Sequence, residues 1–307
     1  MHPQSIIVIG SSNTDMVIKT EKFPLPGETL LGGEFFMFPG GKGANQAVAA
    51  ARLGGNVTFI TKIGNDIFGK QALQQFINEG IRTDLIIDDS EHPSGVALIT
   101  VDAKGENTIV VAQGSNGVLT TQDLSKIKTE IEQHDILLMQ LEIPMSTVLY
   151  AAQTASQQNK KVILNPAPAA LLPDEIYKTL FLITPNESEA EIISGTKISN
   201  DESIKRVAQK IKDRGVKNVI ITLGSRGVYV LTNVEEKFIP APIVKAIDTT
   251  AAGDVFNGAL TVAIAEGQSL SDAVIFANQA AAISVTKMGA QASAPFRKEI
   301  SKETTSH

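Results

Sequence analysis

The sequence contains no cysteine and no tryptophan, and only four histidines, at positions 2, 92, 134 and 307. Without cysteine there is no disulfide framework, no thiolate-held zinc or iron–sulfur cluster and no thiol nucleophile. The histidines follow no metal-ligand spacing, which argues against a His-rich catalytic zinc site. Positive charge is also scarce. There are 27 Lys and Arg against 33 Asp and Glu, a net charge of −6, and no basic cluster supplies the footprint of a nucleic-acid binder. No apolar run approaches the about 18 residues of a membrane span, and the first residues lack the basic region of a signal peptide. A cytoplasmic protein without nucleic-acid or membrane partners is expected.

What is present is ordinary globular composition, 43% hydrophobic and 20% charged over 307 residues, enough for two domains or one large α/β unit. Short apolar runs at 6–9, 57–60, 136–141, 162–164, 181–183 and 219–223 read as strands buried on both faces. Amphipathic stretches at 43–53, 69–79, 122–132, 147–158, 186–194 and 204–213 read as helices between them. This alternation predicts a mostly parallel sheet covered by helices. Two segments break it. Residues 15–38 carry Phe23-Pro24-Leu25-Pro26-Gly27, which is incompatible with helix. The β runs at 95–101 and 108–111 are joined by Asp102-Ala103-Lys104-Gly105, a hairpin signal. These predict a small four-stranded lid, residues 15–39 and 94–113, on a core made of 1–14, 40–93 and 114–307. The tail from Lys298 reads as disordered.

Several familiar motifs are missing or imperfect. Gly64–Gly69–Lys70–Gln71 approximates a phosphate-binding loop, but Gln71 replaces the magnesium-ligating hydroxyl and Ile67-Phe68 is bulky where backbone must wrap phosphate. Only Gly10 follows the first strand, so no dinucleotide fingerprint exists. There is no Gly-x-Ser-x-Gly elbow.

In parallel sheets ligands bind beyond the carboxyl ends of the strands. Asn13, Asp15, Glu142, Asn165, Asn186 and Gly224-Ser225-Arg226-Gly227 fall there, each a possible loop cap taken singly. Pro39-Gly40-Gly41-Lys42-Gly43-Ala44-Asn45-Gln46 opens a helix with small residues that admit a ligand and with donors on Lys42 and Asn45. Taken alone, such a segment is more often only a turn. The most informative segment is Asp248-Thr249-Thr250-Ala251-Ala252-Gly253-Asp254. A helix starting near Ala251 would expose unpaired N–H groups of Ala251, Ala252 and Gly253 to an anion. Asp254 in that first turn could take a proton from an alcohol attacking phosphate. Asp248, Thr249 or Thr250 could serve as the cap instead.

These two segments, 39–46 and 248–254, resemble the signature regions of the ribokinase-type sugar kinases, the family that includes adenosine kinase and the minor phosphofructokinase. The resemblance runs from about residue 5 to 296. It includes Gly-Ser-x-Asn-x-Asp at 10–15, Leu-Glu at 141–142, Asn-Pro-Ala-Pro at 165–168, Thr-Pro-Asn-Glu-x-Glu at 184–189 and Thr-Leu-Gly at 222–224. The wider family often has glycine at the position of Ala251. The resemblance implies a three-layer α/β/α core with a four-stranded β lid, and ATP-dependent phosphorylation of D-ribose at its 5-hydroxyl. A 2-deoxyribose, other sugar or nucleoside kinase, or a non-catalytic sensor, are the alternatives. It also implies that Asn13, Asp15, Gly41, Lys42, Gly43, Asn45 and Glu142 bind sugar, with Asp254 as base. By the same resemblance, Asn186, Thr222, Leu223, Gly224, Ser225, Arg226, Gly227, Gly253, Asp254 and Asn278 contact the nucleotide. Glu189 would help hold Mg²⁺ through water. Asp248, Thr250, Ser284, Lys287, Gly289 and Ser293 would surround K⁺, and two lids would clasp in a homodimer.

Overall fold

The computed structural model describes residues 4–303. The strands in chain order are β1 (Ile6–Ile9), β2 (Asn13–Lys19), β3 (Glu34–Gly40), β4 (Val57–Ile60), β5 (Lys62–Gly64), β6 (Ile87–Asp89), β7 (Gly95–Val101), β8 (Asn107–Ala112), β9 (Ile136–Met139), β10 (Lys161–Leu164), β11 (Leu182–Ile183), β12 (Asn218–Thr222), β13 (Val228–Leu231) and β14 (Glu236–Ile239). The helices are α1 (Lys42–Arg52), α2 (Ile67–Asn78), α3 (Thr121–Lys126), α4 (Lys128–Gln133), α5 (Met145–Gln157), α6 (Asp174–Tyr177), α7 (Glu187–Ser194), α8 (Asp201–Asp213), α9 (Ala252–Ala265), α10 (Leu270–Ser284) and α11 (Arg297–Glu303).

Eight strands form one sheet in the order β14-β13-β12-β11-β10-β9-β1-β4. It is parallel from β4 to β12, and β13 and β14 close that edge antiparallel. The side-chain period of two divides β1 between both faces. Ile6 and Val8 pack in the cluster that includes Ala47 of α1, Leu260 of α9 and Ala277 of α10. Ile7 and Ile9 pack in the opposite cluster with Ala151 of α5 and Val207 of α8. All four are fully buried, which is why this strand shows an unbroken apolar run with no polar alternation.

The two segments that interrupt the alternation form a separate four-stranded sheet, β3-β2-β7-β8. Its hairpin turn is held by Asp102, whose Oδ1 accepts from Lys104 N and Glu106 N at 2.9 and 3.0 Å. Two expectations need correction, and one element is new. The stretch 122–132 is two helices, because Ile127 leaves helical geometry at φ −118, ψ 22. The chain beyond Lys298 continues as helix α11 to Glu303, and 304–307 lie outside the described residues. Residues 62–64 and 87–89 make a third, two-stranded parallel sheet. Among the described residues no helix is long and apolar enough to cross a membrane.

Candidate active site

The carboxyl ends of β1, β9, β10, β11 and β12 open onto one edge of the sheet, and α1 and α9 both begin there. Helix α1 has Gly41 at its N-cap, so no side chain of its own caps it. Glu142, arriving from beyond β9, supplies the acceptor. Its Oε2 takes hydrogen bonds from Lys42 N at 3.0 Å and from Ser11 Oγ at 2.5 Å. The helix start also lies against the loop after β1: a Cβ built on Gly43 would meet Gly10 C and Ser11 N at 2.6 Å. Glycine is required there by close approach. Asn13 is held by Asn116, which donates to Asn13 Oδ1 at 2.8 Å and accepts from Ser12 N at 2.9 Å.

Helix α9 packs against α1 closely enough that a Cβ on Gly258 would meet Gln46 O and Ala49 Cβ, each at 2.8 Å. This contact brings the two signature segments together. Asn45 Nδ2 donates to Asp254 Oδ2, and Gln46 Nε2 donates to Asp254 Oδ1, both at 2.9 Å. The Asn45 Oδ1 is buried without a partner among the described residues, an acceptor that a sugar hydroxyl suits.

Charge is concentrated here. Asp254, then burial in opposition, then Glu142, Glu189 and Asp15 act on Lys42, and the net effect holds its ammonium above the usual lysine range. Burial, reinforced by Glu142 and Asp254 and opposed by Lys42, pushes the Asp15 carboxyl up to about 6. A ligand that offers hydroxyl donors and acceptors matches such a mixed site better than an apolar one.

Helix α9 begins at an unusual cap. Ala251 is left-handed at φ 59, ψ 11, and no side chain caps the helix. Ala251 is thus the cap rather than part of the first turn. Ala252 N reaches Thr249 O at a long 3.3 Å. Among the described residues the N–H groups of Gly253 and Asp254 have no acceptor, and a Cβ on Gly253 would face open space. Asp248 is not the helix cap: its Oδ1 accepts from Thr250 N at 2.9 Å and its Oδ2 from Gly289 N at 2.8 Å. Burial raises its carboxyl, but the bonds from Thr250 and Gly289 outweigh it and hold the group below the ordinary range. Ile247 N and Asp248 N both donate to Val285 O, at 2.7 and 3.2 Å. The 248–250 turn and the 284–289 segment are therefore cross-linked. Lys287 turns its ammonium away to Glu299 at 2.7 Å, and Ser293 Oγ donates to Ala290 O at 2.7 Å.

On the other side of α9's first turn lies a cavity of about 330 Å³. Thr222, Gly224, Ser225, Gly227, Gly253 and Asn278, which the resemblance assigns to the nucleotide, line it. Asn186, Leu223, Arg226 and Asp254 are not among its lining residues. Arg226 instead pairs with Glu187 and Asp201 at 2.7 and 3.2 Å. Asn186 caps α7 reciprocally with Glu189 and bridges to Thr222. The cavity walls that sequence reading missed are apolar: Val228, Pro242, Ile243, Val244, Phe256 and Val285. The 240–247 run has no strand or helix period, so only its density of apolar residues signalled it.

Two ion sites are implied, and the donor chemistry fits each differently. Among the described residues no group of three or more His, Asp or Glu could hold a metal. Glu189 also spends both carboxylate oxygens on Asn186, at 2.9 Å each. That set fits magnesium carried by nucleotide phosphates and water, and excludes an all-protein cage. Asp248 and the five residues grouped with it offer carbonyl, hydroxyl and carboxylate oxygens, with the Lys287 ammonium turned away to Glu299, which suits a hard monovalent cation.

Residues 3–297 match the sequence pattern of the pfkB family carbohydrate kinases. The chain belongs to that family. It is 47% identical to a ribokinase of Haemophilus influenzae over 296 residues, 96% of this chain and 97% of that one. Its fold is similar to the crystal structure of a ribokinase from Thermotoga maritima, with a TM-score of 0.90 and 43% identity over 97% of this chain and 98% of that one. It is also similar to the Arabidopsis thaliana ribokinase complexed with ribose and ATP, with a TM-score of 0.92 and 29% identity over 99% and 100% of the two chains. The core with a separate four-stranded sheet is the architecture that the sequence resemblance implied.

Proposed function

We propose that this protein transfers the γ-phosphoryl group of ATP to the 5-hydroxyl of D-ribose, giving ribose 5-phosphate and ADP. The observation that carries this reading is the position of Asp254. It sits at the junction between a polar pocket (Asn13, Asp15, Lys42, Asn45, Glu142) and an apolar cavity bounded by Ala252 and Gly253. The cavity, with its apolar walls and the polar Thr222, Ser225 and Asn278, accommodates an adenine nucleoside. The phosphates then lie toward the first turn of α9.

Asp254 accepts the proton of the 5-hydroxyl as that oxygen attacks the terminal phosphorus. The unpaired N–H groups of Gly253 and Asp254 take up charge on the transferring oxygens, helped by the positive end of the helix. Asn13, Asp15, Lys42, Asn45 and Glu142 hold the other hydroxyls, so the reacting one is placed before chemistry begins. Glu189 would help hold magnesium through water, and the ion would supply neutralising charge on the phosphates. A monovalent cation, potassium by preference, would sit between the 248–250 turn and the 284–293 segment, within reach of Asp248, Thr250, Ser284, Lys287, Gly289 and Ser293.

The lid, residues 15–39 and 94–113, covers the sugar, and core residues 1–14, 40–93 and 114–307 bind both substrates. Exposed apolar side chains on the lid strands, including Phe35 at 59%, Leu98 at 56% and Val110 at 69%, favour a homodimer joined through the lids. The test of the reading is ATP consumption with ribose, 2-deoxyribose, fructose 6-phosphate and adenosine compared side by side. Ribose is expected to give the highest kcat/KM; a clear preference for any of the others would replace it.

A further inference from the structure

We infer that Gln46 is a positioning residue for Asp254, fixed by a buried ring of amides that returns to the first turn of α9. The inference rests on Asp254 acting as the base. Gln46 is fully enclosed, so it acts on the reaction only through its neighbours.

The directions of the Asn165, Gln46 and Gln140 amides follow from one backbone group, and that of Asn257 from another, the carbonyl of Gly253. The carbonyl of Thr184 can only accept, so Asn165 must turn its Nδ2 toward it, at 3.1 Å. Asn165 Oδ1 then faces Gln46 and also can only accept. Gln46 must therefore present Nε2 to it, at 3.0 Å. The second hydrogen of that nitrogen reaches Asp254 Oδ1 at 2.9 Å. Gln140 Nε2 closes the remaining side by donating to Gln46 Oε1 at 2.6 Å. The ring continues through Thr184 Oγ1, which donates to Asn257 Oδ1 at 2.6 Å. Asn257 Nδ2 in turn donates to Gly253 O at 2.8 Å.

The consequence concerns geometry. Asn45 holds one oxygen of Asp254 and Gln46 the other, so the carboxylate plane has no freedom to rotate away from the hydroxyl. The same ring ties Gly253, whose N–H is free for phosphate, to the base beside it. Inverting the Gln46 amide would set its oxygen against Asp254 Oδ1 and Asn165 Oδ1 together, placing acceptors against acceptors in a buried site.

The test uses Gln46→Met, which keeps the length of the side chain and removes the donor. The expected result is a folded protein with kcat lowered about 10- to 100-fold and KM for ribose within about twofold of the parent. In an Asp254→Ala background the same substitution should cost nothing more, because a group acting only through Asp254 has nothing left to position. Gln46→Glu places a like charge beside the base, so the acidic limb of its kcat–pH profile should move to higher pH. A folded Gln46→Met enzyme with kcat within about twofold of the parent would overturn the inference, as would an equal further loss in the Asp254→Ala background. Should Gln46→Met not fold, Gln140→Met loosens Gln46 from its far side, and an unchanged kcat there would overturn it equally. An Asp254→Asn enzyme of normal activity would instead remove the base itself, so the two failures are distinguishable.

Discussion

Asn45 and Asp254, 209 positions apart in sequence, are joined by a hydrogen bond of 2.9 Å between Nδ2 and Oδ2. One side chain thus orients the proposed base, while its own Oδ1 stays buried and, among the described residues, unpartnered, open to a sugar hydroxyl. Asn45→Ala should therefore raise KM for ribose and lower kcat together. The combined loss of kcat/KM should correspond to about 1–3 kcal/mol or more. Steady-state kinetics check this, and a change in KM with kcat untouched would separate the two roles.

Asp15 gives a dependence on pH whose sign is fixed. Burial first, then Glu142 and Asp254, raise its carboxyl from 3.8 to about 6. Between those values the unfolded chain has lost a proton that the folded protein retains, so this group removes stability as pH rises from about 4 to about 6. Asp15→Asn should therefore stabilise the ligand-free protein at pH 8 by on the order of 2 kcal/mol, with no gain at pH 4. Urea unfolding at both pH values measures it. The same variant should bind ribose less tightly, because a carboxylate that accepts hydroxyl bonds has been exchanged for an amide.

Among the described residues Ala251 is one of two non-glycine residues at positive φ, the other being Asn159. Its methyl group costs about 1–2 kcal/mol in left-handed geometry, part of which glycine would return as chain entropy on folding. Ala251→Gly is expected to raise unfolding stability by up to about 1 kcal/mol without altering the turn. Lowered stability in denaturant titration would contradict the strain.

Asp248 fastens the 248–250 turn to Gly289, and both segments belong to the proposed cation site. A bound ion would fix the backbone from which the N–H groups of α9 emerge. Ribose phosphorylation at fixed ionic strength and saturating magnesium should be faster in potassium than in sodium or choline. Equal rates in all three salts would leave Asp248 as a cross-link only.

Much of this was legible in the sequence where local pattern and structure coincide. The runs at 6–9 and 57–60 have the bounds of β1 and β4, because strands buried on both faces are apolar throughout. The proline-rich break and the Asp-x-x-Gly turn marked the lid for equally local reasons. Helix α10 leaves little signal in the sequence: it is apolar and rich in alanine, with Ala273, Ala277, Ala280 and Ala282 buried, so it shows little of the amphipathic period that marks a helix. Strands β13 and β14 are as long as β1 and β4, but they form an antiparallel pair at the sheet edge, outside the strand–helix alternation by which a parallel sheet is read. At the site, residues within the two signature segments could be named from sequence. Gln46, Asn116, Gln140 and Asn257 gain their places from partners many positions away, and no spacing announces such contacts. Arg226 illustrates the converse: a cation in a loop that the resemblance assigns to the nucleotide pairs instead with Glu187 and Asp201.

The central claim is that Asp254 removes the proton from the attacking hydroxyl while the first turn of α9 receives the phosphate. The most direct measurement is turnover of ribose and ATP by Asp254→Asn, with ribose binding followed separately by calorimetry. Loss of a general base lowers kcat by about 10²- to 10⁴-fold, and ribose affinity should change far less, since proton transfer matters only near the transition state. A folded Asp254→Asn protein that binds ribose and turns over at close to the parental rate would contradict the account.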